Sequence, residues 1–581
     1  MKRTSLKIAG SSGSGLVITG QMMMQALQHL GYYVNSDREY PSLIKGGYAN
    51  YQIDFGLQPL HSLSEKIDLV LAVDRIGLME GIDSLKDGGI LVHDDDRHMM
   101  IRGLDHKARE RGITMVHIPA RKIAHDHGGN ELMTNMVTLG LAWRILGLPY
   151  ETLAGEIEVK FKDKPKLLEI DLKCLRSGYD GEDVAEVPEL ALPHPASVPE
   201  TILIEGNTAV CLGAIHAGAR AYFAYPMSPS SSILTYMAKT AHQTGIVVKQ
   251  GEDEITVAQM TLGAMHMGTR AFCGTSGGGY DLMTETVSLA GMIETPLVIV
   301  VCQRPGPATG LPTWTCQGDL NLAIHAGHGE FPRIVIGVAD PESCFRLMQH
   351  AFNLAEQYQT VVVVLSEKVV CETKRTVPPF EQHTIPIERG LVVEQSELEQ
   401  LTPQDRYKPT ANGVSPRWLP GASPANYFAN SDEHRADGTI TEAADEIIPI
   451  YSKRLRKEEA IRAALPEPEI IGVESDADVS FVGWGSSKGV MLDAIAEAKT
   501  KGIRVNYLHF DYVWPLKTDV LNTFFDQNPN VCLIEGNALG QFGQLVEDKT
   551  DRTFARKFLK YDGRQFFFEE VLRFVEEMHQ R

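Results

Sequence analysis

Short β-branched runs recur along this chain, several of them ending in a glycine- or proline-rich turn and followed by a helical stretch. The clearest is Thr295-Pro-Leu-Val-Ile-Val-Val-Cys302, and 361–365 is another. Strands alternating with helices lead to a mostly parallel sheet with helices on its faces, so the expected fold class is α/β. Residues 6–9, 67–74, 90–94 and 113–119 read as strands of a first unit. Its helices read as 22–30 and 130–146, the latter stopped by Gly147-Leu-Pro. Pro188, Pro193, Pro195 and Pro199 leave no hydrophobic period between 185 and 200, which reads as a linker. A second α/β unit follows over 201–375. Residues 376–465, rich in proline and charge, read as an extended connecting segment laid over other domains. The strand pattern restarts at 479–484, 504–508 and 531–535. The expected division is therefore 1–184, 185–200, 201–375, 376–465 and 466–581. At 581 residues the chain exceeds what one core supports, and about three or four domains are expected.

The formal net charge of −20 argues against nucleic acid, which needs a basic surface. No apolar run approaches the roughly 20 residues of a membrane helix. The N-terminus lacks the apolar core of a signal peptide, so the cytoplasm is the expected compartment. The eight cysteines include no C-x₂-C pair, and zinc or iron–sulfur ligation is not expected on this chain. They read as thiols in a reducing compartment.

Several segments could carry chemistry. Gly10-Ser-Ser-Gly13-Ser-Gly15 follows a strand and could cradle a diphosphate, but its spacing is not G-x-G-x-x-G. A tight packing turn is the alternative. His93-Asp-Asp-Asp-Arg-His98 and His125-Asp-His127 hold metal-ligating residue types without helical ligand spacing, and no metal site is assigned. In Tyr225-Pro226-Met227-Ser228-Pro229-Ser230 two prolines bracket a hydroxyl, forming either a plain strand–helix connection or a rigid shelf offering Ser228 to a ligand. In Gly251-Glu252-Asp253-Glu254 two acids suit a helix N-terminus, while Glu254 adjoins an apolar helix and is a candidate buried carboxyl. Gly274-Thr-Ser-Gly277-Gly278-Gly279 and Gln303-Arg304-Pro-Gly-Pro-Ala-Thr309-Gly310 each follow a strand-like run, where α/β sheets collect ligands. Arg304 there is either a carboxylate clamp or half of a surface ion pair.

Together these segments resemble the 2-oxoacid:ferredoxin oxidoreductase family over nearly the whole chain. Residues 1–180, with Ile44-Lys45-Gly46-Gly47, are similar to its gamma domain. Residues 201–375 are similar to the domain that holds the pyrimidine of thiamine diphosphate. Ser415-Pro-Arg-Trp-Leu-Pro-Gly421 is similar to the family's connecting segment. Gly483-Trp-Gly-Ser486, Trp514-Pro515 and Glu535-Gly-Asn537 are similar to its transketolase C-terminal-like domain. Met227 and Ser228 stand where the family usually has Ile and Thr, and Ala308 where it has Ser. The gamma–alpha order and Gly-Pro-Ala-Thr-Gly-Leu-Pro-Thr are most similar to the 2-oxoglutarate branch.

The resemblance implies a thiamine-diphosphate enzyme that interconverts a 2-oxoacid plus coenzyme A with acyl-CoA and carbon dioxide, electrons passing to or from ferredoxin. It implies Glu254 as the catalytic contact to the aminopyrimidine ring, and Pro226 and Met227 as further cofactor contacts. Ser228, Arg304 and Thr309 would be substrate contacts. No Gly-Asp-Gly is present, so Mg2+ and the [4Fe-4S] cluster are expected on a separate beta subunit in an alpha2beta2 heterotetramer, with ferredoxin docking mainly on beta. The densest basic run here, Lys453-Arg454-Leu-Arg456-Lys457, reads as a solvated helix start. Another 2-oxoacid, a non-catalytic assembly subunit and an NAD-linked dehydrogenase are the competing readings.

Overall fold

The computed structural model describes residues 2–42, 46–95 and 103–580. Ile44, Lys45 and the stretch 96–98 of the first histidine-rich spot lie outside the described residues. Two compact units are present. One comprises Met1–Ile204, Thr373–Pro379 and Phe567–Arg573; the other comprises Glu205–Glu372, Phe380–Phe566 and Phe574–Arg581.

The first unit is built on an eight-stranded sheet. Its strands Thr114–His117, Leu85–His93, Ile67–Ala72 and Arg3–Ser11 run parallel, as the strand–helix alternation requires. The other half departs from the expected parallel arrangement. Tyr33–Glu39 and Tyr48–Gly56 form an antiparallel meander against Arg3–Ser11, and Lys374–Val377 extends it antiparallel. The strand Tyr48–Gly56 alternates Tyr51, Ile53, Phe55 with Asn50, Gln52, Asp54, the period of two that marks a strand. Both of its faces are buried. Asp54 survives there because Ser64 N–H (2.7 Å) and Gln52 Nε2 (3.1 Å) donate to it. Residues 185–200 form no helix or strand. They lie along this unit, where Tyr32 Oη donates to Pro193 O and Leu190 N–H to Ile145 O.

The glycine turn after the first strand is closed by protein groups. Asp74 accepts from Ser11 N–H (2.7 Å) and caps the helix Arg75–Ser84 through Gly77 N–H (2.9 Å). Asn135 Nδ2 donates to Ser14 O. A side chain at Gly77 would lie 2.0 Å from Ala9 O, so close backbone packing demands glycine there. Within the turn a Cβ at Gly10 would fall 2.4 Å from Val73 Cγ2, whereas Gly13 faces open space.

The second unit carries a seven-stranded and a five-stranded sheet. In the first, Arg333–Gly337, Val361–Glu367, Leu297–Gln303, Ala271–Thr275, Ala221–Ala224 and Val247–Gln250 are parallel, and Tyr512–Trp514 adds antiparallel at one edge. In the second, Val505–Phe510, Val479–Trp484, Val531–Glu535 and Arg556–Leu559 are parallel, with Glu469–Gly472 antiparallel at one edge. Every residue of Val361–Glu367 and Leu297–Gln303 is buried, as expected of strands covered on both faces. One apolar core runs through both sheets, joining Val301 and Leu365 to Val482, Trp484, Leu508 and Leu533. Residues 205–372 and 477–566 therefore share a core. Gly337 permits this approach, since a Cβ there would meet the Trp484 ring at 2.6 Å.

The basic run 453–457 is not a solvated helix start. It sits mid-way in the 21-residue helix Ala444–Ala464, with Lys453, Arg454 and Lys457 all buried. Lys453 Nζ binds both oxygens of Glu294 at 2.7 Å, Lys457 pairs with the same carboxylate, and Arg454 pairs with Glu433. Acids distant in sequence convert a basic run into the buried seam that fastens the connecting segment.

Candidate functional site

Four adjacent parallel strands, Val247–Gln250, Ala221–Ala224, Ala271–Thr275 and Leu297–Gln303, end on the same side of the second unit. Their connections carry the residues singled out from the sequence, the position at which open α/β sheets bind ligands.

After Ala221–Ala224 the chain turns through Pro226, Met227 and Ser228, with a cis Ser228–Pro229 bond. Ser230 Oγ does not cap the following helix; it donates back to Met227 O (2.7 Å) and tightens the turn. Asn207 Nδ2 holds Pro229 O at 2.9 Å. Pro226 and Ser228 are exposed, and Met227 is half-buried, its sulfur touched by Ser276 Oγ. The shelf is rigid and presents Ser228 outward.

After Val247–Gln250 the three acids separate by role. Glu252 is exposed. Asp253 caps the helix Glu254–His266, accepting from Thr256 N–H at 2.7 Å, and that bond holds its carboxyl below the usual range. Glu254 is buried, with 4% of its surface exposed. Its carboxylate lies against Gly279 in the first turn of the helix Gly277–Met292: a Cβ on Gly279 would fall 2.8 Å from Glu254 Oε1 and 2.0 Å from Thr275 Oγ1. Gly279 is the cradle that gives this carboxylate room.

After Leu297–Gln303 the loop returns over the glycines. Arg304 Nη1 donates to Ser228 O (2.9 Å), joining the clamp candidate to the shelf. The turn contains a cis Gly306–Pro307 bond, and Gly310 is required by its φ of +52° and by Pro305 O, 1.8 Å from where a Cβ would be. Thr309 is exposed at the tip of this loop. Glu254, Met227, Ser228 and Arg304 are thus brought to one set of strand ends, with Thr309 above them.

Sequence reasoning passed over Asp319. Its carboxyl packs against Gly277, where a Cβ would meet it at 2.5 Å, and its Oδ2 is buried without a hydrogen-bond partner. Burial, reinforced by Asp281 and opposed by Arg304, raises it to about 6. Burial also lowers Arg304, and Asp319 pulls it back up. Glu367 and Glu535 were also passed over. Each ends an apolar strand, and burial pushes each up to about 7 against the donors that surround it. A polar residue closing a buried β-branched run was the available signal. The thiol of Cys316 is pushed up to about 12 by burial and neighbouring acids, which leaves it inert. Among the described residues no group of three or more His, Cys, Asp or Glu side chains could hold a metal.

Two family models match the chain. "Pyruvate flavodoxin/ferredoxin oxidoreductase, thiamine diP-binding" covers residues 212–453, the region that carries this site. "Pyruvate ferredoxin/flavodoxin oxidoreductase" covers residues 5–181. A 2-oxoacid:ferredoxin oxidoreductase subunit alpha of Sulfolobus sp is 30% identical, across 98% of this chain and 96% of that one. The chain belongs to the 2-oxoacid:ferredoxin oxidoreductase family. Within that family it is similar to the 2-oxoglutarate oxidoreductase subunit KorA of Mycobacterium tuberculosis, 28% identical over 99% of this chain and 91% of its relative. It is also similar to a solved 2-oxoglutarate:ferredoxin oxidoreductase from Magnetococcus marinus, with TM-score 0.91, 28% identity and full coverage of both chains. That structure holds 2-oxoglutarate, coenzyme A and succinyl-CoA. The alpha-subunit family and its thiamine-binding domain are those implied by the segments at 225–230, 251–254 and 303–313. Among the described residues no helix is long and apolar enough to cross a membrane.

Proposed function

We propose that this chain is the alpha subunit of a 2-oxoglutarate-type enzyme that interconverts 2-oxoglutarate plus coenzyme A with succinyl-CoA plus carbon dioxide. Low-potential electrons pass to or from ferredoxin. The observation that carries this reading is the buried Glu254 carboxylate in the Gly279 cradle, beside a shelf tied to Arg304. A buried carboxylate with no hydrogen bond from the described residues is suited to a ligand's ring nitrogen, so the site fits an aminopyrimidine. Thiamine diphosphate, when bound, supplies the carbanion that attacks a 2-keto carbon.

The chain's own residues would do the following. Glu254 hydrogen-bonds the ring nitrogen and shares its proton. Pro226 and Met227 form the wall against which the ring rests. Arg304 takes the substrate carboxylate, with Ser228 and Thr309 donating to its oxygens. The magnesium, the [4Fe-4S] cluster and most of the ferredoxin contact belong to a beta subunit in an alpha2beta2 assembly. Burial of Lys453, Arg454 and Lys457 supports this, because it removes the densest basic run from a docking role.

The experiment is co-expression with the candidate beta chain, followed by CoA-dependent dye reduction with 2-oxoglutarate, pyruvate and a branched-chain 2-oxoacid. The 2-oxoglutarate kcat/KM should be highest. A higher value for another 2-oxoacid would reassign the substrate, and no turnover with any of them would favour an assembly subunit.

A further inference from the structure

The C-terminal sheet holds none of the residues given roles above, yet it grips the loop 304–319 that carries two of them. Gln317 is 1% exposed and fully bonded. Its Nε2 donates to Trp484 O (2.8 Å), and its Oε1 accepts from Gly536 N–H (2.6 Å). Its backbone N–H donates to Gly536 O (2.8 Å), and its carbonyl accepts from Asn537 Nδ2 (2.9 Å). Next to it, Gln541 Nε2 donates to Gly318 O (2.8 Å), and Gln541 Oε1 accepts from Asn321 N–H (3.0 Å). The other end of the loop is fixed by Gln303, whose Oε1 accepts from Asp319 N–H (3.0 Å) while its Nε2 donates to Ser366 O (3.3 Å).

Domain packing alone does not call for this. The two sheets already share a continuous apolar core, and the hydrophobic effect that joins them is non-directional. Hydrogen bonds are directional, and four to one buried glutamine define a single register. What that register fixes is Asp319, two residues on, whose N–H is bonded to Gln303, the residue immediately before Arg304.

We infer that the C-terminal domain sets how tightly this enzyme takes its 2-oxoacid, with Gln317 and Gln541 as positioning residues that hold the loop 304–319, and hence Arg304, in register. The inference rests on the reading that Arg304 binds the substrate carboxylate. It is tested in the assembled enzyme with Gln541→Ala, Gln317→Leu, Arg304→Ala and the double variant Gln541→Ala/Arg304→Ala.

Gln541→Ala should raise KM for the 2-oxoacid about fivefold to tenfold, leaving kcat, thiamine-diphosphate Kd and Tm near the parent values, the pattern of lost substrate binding alone. Gln317→Leu should raise KM further; if it fails to fold, Gln541→Ala decides. In the Arg304→Ala background, Gln541→Ala should add nothing, because residues acting through one another are not additive. If Arg304→Ala raises KM and Gln541→Ala does not, the inference is wrong and the functional reading stands. If Gln541→Ala weakens thiamine binding and stability as much as KM, its role is structural and the inference is again wrong. If Arg304→Ala itself leaves KM unchanged, the Arg304 assignment falls and takes the inference with it.

Discussion

Glycine 279 offers the sharpest test of where the chemistry sits. In Gly279→Ala the new methyl group would lie 2.0 Å from Thr275 Oγ1, 2.8 Å from Glu254 Oε1 and 2.9 Å from Glu254 Cγ, where ordinary contact begins near 3.4 Å. Thr275 ends a buried strand and is fully enclosed, so it has little room to yield. The first turn of the helix Gly277–Met292 must therefore shift to relieve the contact with Thr275, and Glu254 must give way by about half an ångström or swing to another rotamer. A misplacement of about 1 Å at a reacting group costs on the order of 10²-fold in rate. Overpacking should in addition cost ~1–3 kcal/mol of stability. The neighbouring Gly278→Ala is the control. Its methyl group would find only Ala308 O, at 3.9 Å, and alanine in a helix gains ~0.5–1 kcal/mol over glycine.

The assay is turnover of the assembled enzyme with 2-oxoglutarate and coenzyme A, alongside Tm and thiamine-diphosphate affinity for each variant. We expect Gly279→Ala to lose about 10²-fold in kcat while remaining folded, and Gly278→Ala to keep parent activity. A folded Gly279→Ala enzyme with kcat within about threefold of the parent would refute the placement of catalysis at Glu254.

Further outcomes follow from the same geometry. Glu254→Gln keeps shape but cannot relay a proton, and should lower kcat by about 10²-fold or more with a smaller loss in thiamine affinity. Purified without its beta subunit, the chain should show neither iron absorbance nor decarboxylation, and stoichiometric iron in the isolated chain would contradict the partition of cofactors. Glu294→Gln leaves Lys453 and Lys457 without their shared anion and should cost about 3–5 kcal/mol in urea denaturation. Glu367 is raised by burial to about 7, so between its unfolded value and pH 7 the folded state holds the extra proton, and stability falls as pH rises through that window and levels off above it. Glu367→Gln escapes this, and should gain ~3 kcal/mol relative to the parent between pH 5 and pH 8.

What could be read from the sequence was local. The shelf at 225–230, the acid trio at 251–254 and the glycine turns carry their turn chemistry in adjacent residues, so proline and glycine announce them. The strand Tyr48–Gly56 was equally periodic but went unread, because its polar face, Asn50, Gln52 and Asp54, looks solvent-exposed. Only the fold reveals that Ser64 and Gln52 satisfy Asp54 from within the core. The run at 453–457 misled for the same reason. A helix bearing four cations reads as surface until Glu294 and Glu433 are known to face it, and nothing near residue 453 names those acids.

Gln303, Glu367 and Glu535 lie between these cases. Each is a polar residue closing an apolar strand, a position visible in one dimension, and parallel topology obliges such residues to converge at the same end of their sheets. The sequence could therefore point to where polar groups gather without saying which would meet. Whether they form a ligand site or a scaffold depends on partners hundreds of residues away, such as Gln317 meeting Gly536 and Asn537. Glu535 gives all of its visible acceptor capacity to Trp484, Asn537, Phe542 and Gly543. Glu254 has no such partners among the described residues, and Asp319 Oδ2 has none either. Folding thus divides similar strand-end and helix-start acids into two kinds: those whose lone pairs the protein consumes, which hold domains in register, and those it leaves open, which are the ones suited to the ligand contacts proposed above.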